Sequence, residues 1–197
     1  MSKINPAKRE AAEDVFFGQI AIIWARWLLI AAGAIIALWS AESVGQLAIA
    51  VVTVVLFMAI NFFIHGRYLV ERPANRLLLL ITGLLDIAAI TALVTLWPGQ
   101  TGLVSDFFIL YYPLLFAFAL VFSPRVAVTF GLLTLGLYAI ACLVSSDPAA
   151  MFSIGGFKIL VTRLITLGAM SGLGAFYYRR QRDSLRAMTA KMSPLLK

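Results

Sequence analysis

One cysteine and one histidine occur in the 197 residues. No disulfide framework and no cysteine-based metal site can form within a single such chain. Cys142 lies inside an apolar run and reads as a small packing residue. Charge is scarce as well: Asp, Glu, Lys and Arg make up 13% of the sequence, against roughly 25% in an average soluble domain. The N-terminus lacks a short apolar stretch followed by a small-residue cleavage site. Met1 to Asp14 is polar and mixed in charge, so this end is expected to be retained. No low-complexity tract and no soluble domain is evident. What fills the chain is apolar. Hydrophobic residues reach 62% and the mean hydropathy is +0.96, too much for one buried core. The expected fold class is all-α, a polytopic membrane protein.

A membrane-spanning helix needs about 20 mostly apolar residues. Six stretches are candidates: Phe16–Trp39, Gly45–Ile64, Leu77–Trp97, Phe107–Phe122, Val126–Val144 and Phe157–Tyr178. The fourth is the shortest. Short loops favour antiparallel neighbours packed as a bundle. The chain then divides into an N-tail (1–15), a six-helix domain (16–178) and a basic C-terminal helix (179–197). The net charge of +7 sorts by side. Thirteen of the sixteen Lys and Arg residues fall on one side: Lys3, Lys8, Arg9, Arg67, Arg72, Arg76, Arg125 and six beyond Tyr178. The other side has Lys158, with Glu42, Asp106 and Asp147. This bias places both termini in the cytoplasm. The positive charge is thus a topology device that also suits anionic lipid headgroups, and nucleic acid is not an expected partner.

Three ionisable residues need a separate account, because such groups are costly inside a bilayer. Asp86 stands alone in "LLLLITGLLDIAAITALV". At a rise of about 1.5 Å per residue it lies roughly 13 Å inside the cytoplasmic face, and Arg26 lies roughly 9–15 Å in from the same face. The two are expected to form a buried ion pair that fixes helix order. The alternative is a titrating proton or ligand site at Asp86. A transporter would show a relay of several such groups, and one mid-membrane acid argues against it. Arg163 lies roughly 9 Å from the outer face and is expected to snorkel outward, towards Asp106 and Lys158. Asn61 is expected to hydrogen-bond between helices. His65 reads as an interfacial polar group, with a metal or porphyrin-type pigment as the alternative.

Gly168 and Gly172, followed by Gly174, form a G-x-x-x-G face suited to close helix packing or to a homodimer. Ala127 and Gly131 do the same in the fifth stretch. Pro113 should remove a backbone hydrogen bond and kink the fourth. Trp97, Asp106, Tyr111, Tyr112 and Arg163 all fall in the outer half, where they suggest either a small-molecule pocket or an aromatic interface belt. No nucleophile–base pair, metal cluster or phosphate loop is evident, so no enzyme is expected.

Several stretches together resemble a known family. They are "RWLLI" at Arg26–Ile30, Asn61, "RLLLLITGLLD" at Arg76–Asp86, "SDFFILYYPLLFAFAL" at Ser105–Leu120 and "SPR" at Ser123–Arg125. The chain resembles the six-helix membrane input module of bacterial sensor histidine kinases and of some cyclases and diguanylate-type signalling proteins. The likeness runs from about Val15 to Arg180. It implies a bacterial cytoplasmic (inner) membrane, polar anchors at Arg26, Asn61 and Asp86, and a sensing side at Ser105–Pro113. The Gly-Gly and Pro-Phe pattern usual before the fourth helix is replaced by "GQTGLVSDFF". No output domain is expected after Lys197. Two function classes follow. One is a noncatalytic sensory or relay module with a separate signalling partner. The other is an accessory subunit of a larger membrane complex, energy-converting or photosynthetic, with other membrane subunits, lipid or pigment as its contacts.

Overall fold

The computed structural model describes residues 6–69 and 76–192. Lys3, Arg72 and Lys197, counted above with the one-sided charges, lie outside the described residues. Among the described residues every regular element is helical and no strand occurs. The helices are α1 (Pro6–Trp39), α2 (Val44–Leu69), α3 (Arg76–Leu96), α4 (Tyr111–Val121), α5 (Pro124–Ser145), the single turn α6 (Pro148–Met151) and α7 (Ile154–Met192). Two 3-10 turns, Gly102–Val104 and Asp106–Leu110, lie between α3 and α4. Helix therefore begins inside the expected N-tail. The basic C-terminal segment continues α7 as far as Met192 and is not a separate helix.

Local chemistry sets the helix ends. Ser43 caps α2: its Oγ accepts from the Gln46 N–H at 3.2 Å. The Gln46 Oε1 reaches back to the Glu42 N–H at 2.6 Å, a close relative of the capping box. Pro98 stops α3, and Gly99 turns the chain with a φ of 81°. Pro124 opens α5 in its first turn, where its missing N–H costs no hydrogen bond. The segment after α3 is stitched to the end of α5. Thr101 Oγ1 donates to the Ser145 carbonyl at 2.9 Å, and Ser146 Oγ accepts from the Leu103 N–H at 2.9 Å. Gly102 (φ 59°) sits against both serines, leaving no room for a side chain.

Polarity is arranged inside out relative to a water-soluble protein. Arg26 and Asp86 are 3% and 4% exposed, whereas Trp24 and Leu28 on the same helix as Arg26 are 70% and 60% exposed. Water would not hold such an arrangement, but hydrocarbon does: it takes apolar side chains on the outside and requires charges to face protein. Five helical windows are long and apolar enough to cross a membrane: Ile22–Trp39, Val44–Arg67, Leu77–Leu96, Pro124–Ser145 and Ile154–Gly174. The sixth expected span is shorter. Asp106–Val121 is a five-residue 3-10 turn followed by the eleven-residue α4. Because a 3-10 turn rises about 2.0 Å per residue and an α-helix about 1.5 Å, together they reach about 27 Å.

The shortest of these segments is the central one. α4 packs against α1, α5 and α7, and also touches α3, whereas α2 packs chiefly against α1. Leu114, Leu115, Phe118 and Ala119 of α4 are buried. Phe118 and Phe130 meet at 4.4 Å between ring centroids, with Phe122 stacked on Phe130 at 6.1 Å. Pro113 falls in the first turn of α4. The change from 3-10 to α helix before Tyr111 replaces the mid-helix kink expected there, since proline in a first turn breaks no bond.

Of the glycines singled out, Gly174 and Gly131 make close contacts within the chain and Gly168 and Gly172 do not. A Cβ at Gly168 or Gly172 would meet nothing within 4 Å, so these residues face away from the neighbouring helices. Gly174 instead lies against Ala119 of α4, Gly83 against the Phe118 ring and Gly131 against Ser171. Gly174→Leu is expected to lower stability by about 1–3 kcal/mol through overpacking. Gly168→Leu should leave stability unchanged or raise it by up to about 1 kcal/mol, because glycine is the poorer helix former. Thermal unfolding of both variants in the same detergent checks this difference.

Candidate functional site

Arg26 on α1 and Asp86 on α3 form the ion pair expected from their depths. The Arg26 guanidinium (NH1) and Asp86 Oδ2 are 3.0 Å apart, with side chains only 4% and 6% exposed. Little else nearby is polar. Thr82, one turn before Asp86, is buried but donates to the Leu79 carbonyl at 3.1 Å. Neither the Arg26 Nε nor its NH1 makes a hydrogen bond of good geometry, so the contact with Asp86 is one of charge. Each charge therefore depends on the other. Their attraction in a low dielectric offsets a desolvation cost that neither could bear alone.

From this pair a narrow cavity of about 50 Å3 runs towards Trp97, between the α1–α2 pair and α3. Its lining mixes small residues, Gly33, Ala34 and Ala37 from α1, Ala50 from α2 and Ala89 from α3, with larger apolar ones such as Leu29, Ile30, Phe57 and Leu93. Arg26 and Asp86 stand at one end and Trp97 at the other. The Trp97 indole is 3% exposed and packs on Phe107 at 5.1 Å between ring centroids. Its Nε1 has no hydrogen-bond partner.

A second cluster surrounds Arg163. Its guanidinium lies 3.7 Å from the centroid of the Phe108 ring. The NH1 group donates to the Tyr138 hydroxyl at 3.0 Å and to the Ser105 carbonyl at 3.3 Å. Arg163 is thus drawn into the protein and does not snorkel towards Asp106, which is exposed. Three protein groups at fixed positions outcompete a surface carboxylate whose own hydration is lost on pairing. Beside Arg163 lies an open hollow of about 380 Å3, lined by Phe108, Tyr112, Lys158, Thr162 and Thr166. Tyr112 Oη and Thr166 Oγ1 share a hydrogen bond of 2.7 Å across it.

The five residues grouped as one outer pocket are therefore dispersed. Tyr112 and Arg163 border the hollow, Trp97 borders the cavity, and Asp106 borders neither. Tyr111 is fully buried in the core, where its hydroxyl meets Thr91 Oγ1 at 2.7 Å. Successive residues on a helix point about 100° apart, and here Tyr111 turns to the core while Tyr112 borders the hollow. Ser105 and Phe108 fall within the segment expected as the sensing side, whereas Tyr138, Thr162 and Thr166 were not singled out from the sequence. Thr162 and Thr166, which flank Arg163 on α7, were the local signal for the hollow.

Asn61 departs from expectation. It is fully buried, yet neither its Nδ2 nor its Oδ1 has a hydrogen-bond partner. His65 is half-buried near the end of α2. Among the described residues no three His, Cys, Asp or Glu side chains gather as a metal site. Cys142 is fully buried with a free thiol.

Removing one member of the ion pair strands the other, at about 3–5 kcal/mol. Asp86→Asn is expected to lose that much stability in detergent, and Arg26→Gln on the same background to recover part of it. A double-mutant cycle on the unfolding free energies measures the coupling, and purely additive losses would contradict the pairing.

No family model matches the chain, and neither does any curated protein or solved structure.

Proposed function

We propose that the chain is a noncatalytic membrane module of the sensory-input type, which passes a change in helix packing to its C-terminal helix. One observation carries this reading: α7 is a single helix of 39 residues, of which only Ile154–Gly174 forms the apolar window. About 27 Å of helix continues past that window, with Arg179, Arg180, Arg182, Arg186 and Lys191 along it. A rigid helix that is packed at one end and projects at the other turns a small shift into a displacement. α4 supplies the link, since it packs against both α1 and α7. The resemblance of the "RWLLI" and "RLLLLITGLLD" stretches to bacterial sensor input modules points the same way. In this reading both termini are cytoplasmic, the membrane is the bacterial inner membrane, and the partner is a separate signalling protein that docks on the basic helix.

A specific observation favours a second reading, an accessory subunit of a larger membrane complex. Only 17% of the α2 window and 11% of the α7 window are buried, which leaves two broad apolar faces for partner helices, pigment or lipid. Isolation from the native membrane in mild detergent separates the two. Stoichiometric membrane subunits or pigment bands favour the complex, and a colourless chain alone or with one soluble partner favours the sensor.

The relay is tested with spin labels at positions 67 and 184 in a Cys142→Ala background, in lipid nanodiscs. Loosening the bundle with Arg26→Gln plus Asp86→Asn is expected to shift the interspin distance by about 2 Å or more, the scale of helix shifts in switching proteins. Superimposable distributions would contradict a relay through α7.

A further inference from the structure

We propose that the open hollow beside Arg163 binds the phosphodiester headgroup of an anionic glycerophospholipid, drawn from the leaflet at the Lys158 end of α7. The phosphate lies between Lys158 and Arg163 and accepts a hydrogen bond from the Thr162 hydroxyl. The inference rests on the membrane character of the fold and is independent of any signalling role.

A polar stripe runs along a helix that otherwise suits hydrocarbon. Lys158, Thr162 and Thr166 recur every fourth residue of α7, about 6 Å apart along its axis. With Arg163 beside them, all four line the hollow. Phe157, Ile159 and Ile165 at the same levels are exposed, and little of the apolar window Ile154–Gly174 is buried. Charged and polar groups on such a helix are costly in lipid unless something polar meets them. Lysine alone escapes by reaching towards water. Thr162 is too short to do so, and Arg163 is held by the Tyr138 hydroxyl, the Ser105 carbonyl and the Phe108 ring.

The donors left over define the ligand. Both bonds that Arg163 gives to protein come from NH1. A guanidinium has five N–H donors, so the edge formed by Nε and NH2 remains without a partner among the described residues. That edge is the fork that meets a phosphate with two parallel hydrogen bonds. Thr166 donates to the Arg163 carbonyl at 2.9 Å, and Thr91, Thr129 and Thr134 likewise bond a carbonyl of their own helix. Thr162 makes no such bond, so its hydroxyl is a spare donor. Among the described residues no carboxylate pairs with Lys158 or Arg163. Two cations with no counter-ion call for an anion, and they repel the ammonium of a zwitterionic lipid. The volume of about 380 Å3 is that of a ligand site, roughly 300–1,000 Å3. The setting makes the source a lipid and not a free phosphate. Lys158 and Thr162 stand about 6 and 12 Å past the start of the apolar window at Ile154. A free ion loses its hydration there with nothing in return, whereas a lipid covers Ile159 and Phe108 of the lining as it docks.

The test titrates phosphatidylglycerol into the full chain in mild detergent, with phosphatidylcholine in parallel. Native mass spectrometry reads the Kd of the first lipid bound. Phosphatidylglycerol is expected to bind about tenfold tighter or more, the effect of two cations near one phosphate. Lys158→Gln is expected to weaken it about fivefold, and Thr162→Val about fivefold through one lost hydrogen bond. Both residues are exposed, so both variants should fold, and either one decides if the other fails. Arg125→Gln removes an exposed cation outside the hollow and is expected to change nothing. Glycerol 3-phosphate carries the same phosphate chemistry without acyl chains, and at equal concentration it is expected not to displace the lipid. Equal affinity for the two lipids would overturn the proposal, as would phosphatidylglycerol binding that survives both Lys158→Gln and Thr162→Val. A loss in Arg125→Gln as large as in Lys158→Gln would reduce the effect to general charge attraction and overturn it too. Displacement by glycerol 3-phosphate would make the occupant a free anion and contradict a lipid site.

Discussion

Two charges bind this fold together across an apolar interior. Arg26 and Asp86 meet at 3.0 Å where water cannot follow. The pair joins α1 to α3, two helices that otherwise share little direct surface. Elsewhere α1 packs against α2 and α4, through apolar contacts that are weakly directional and that lipid tails imitate well. Association between helices in a bilayer gains little from the hydrophobic effect, so shape and polar contacts decide the arrangement. One directional contact in such a setting fixes which face of α1 looks at α3. The rest of the packing then follows, with α4 wedged between α1 and α7 and the phenylalanines at 118, 122 and 130 closing the α4–α5 seam.

The pair also borders a gap. A salt bridge holds two backbones at the distance its side chains span, and that is wider than an Ala–Ala contact. Above Arg26 and Asp86, Gly33, Ala34, Ala37, Ala50 and Ala89 alternate with Leu29, Ile30, Ile90 and Leu93, and a cavity of about 50 Å3 stays open among them. On the other flank, Gly174 against Ala119 and Gly83 against Phe118 show small residues used in the opposite way, to bring helices together. The same residue types open a cavity or seal an interface according to what spaces the helices nearby.

Much of this was legible in the sequence, and the reason lies in periodicity and depth. Helix rise alone put Arg26 and Asp86 at matching levels, and the long apolar stretches marked five helices that the structure contains. The sequence was a poorer guide wherever direction around a helix mattered. Gly168 and Gly172 have the right spacing for packing but lie on an open face. Tyr111 and Tyr112 are adjacent in sequence and point apart. Asn61 was assigned an interhelical hydrogen bond that needs a polar group facing it from another helix, and its amide meets none. Arg163 was placed by its long side chain alone. Its partners, Ser105, Tyr138 and Phe108, come from two other segments, and no local pattern announces such a meeting. The central place of α4 was hidden because a short helix reads as a weak span. Its 3-10 lead-in supplies the missing length.

The most direct test of this account is a distance measured in a bilayer. Solid-state NMR on the chain in lipid, labelled with 15N arginine and 13C aspartate, reads the dipolar coupling between the Arg26 guanidinium and the Asp86 carboxyl carbon. The account predicts a strong coupling at the range of a direct ion pair, one that disappears in Asp86→Asn samples lacking the labelled carboxylate. Absence of that coupling in well-folded protein would mean that α1 and α3 are not joined there. The helix order and the path to α7 would then need another cause.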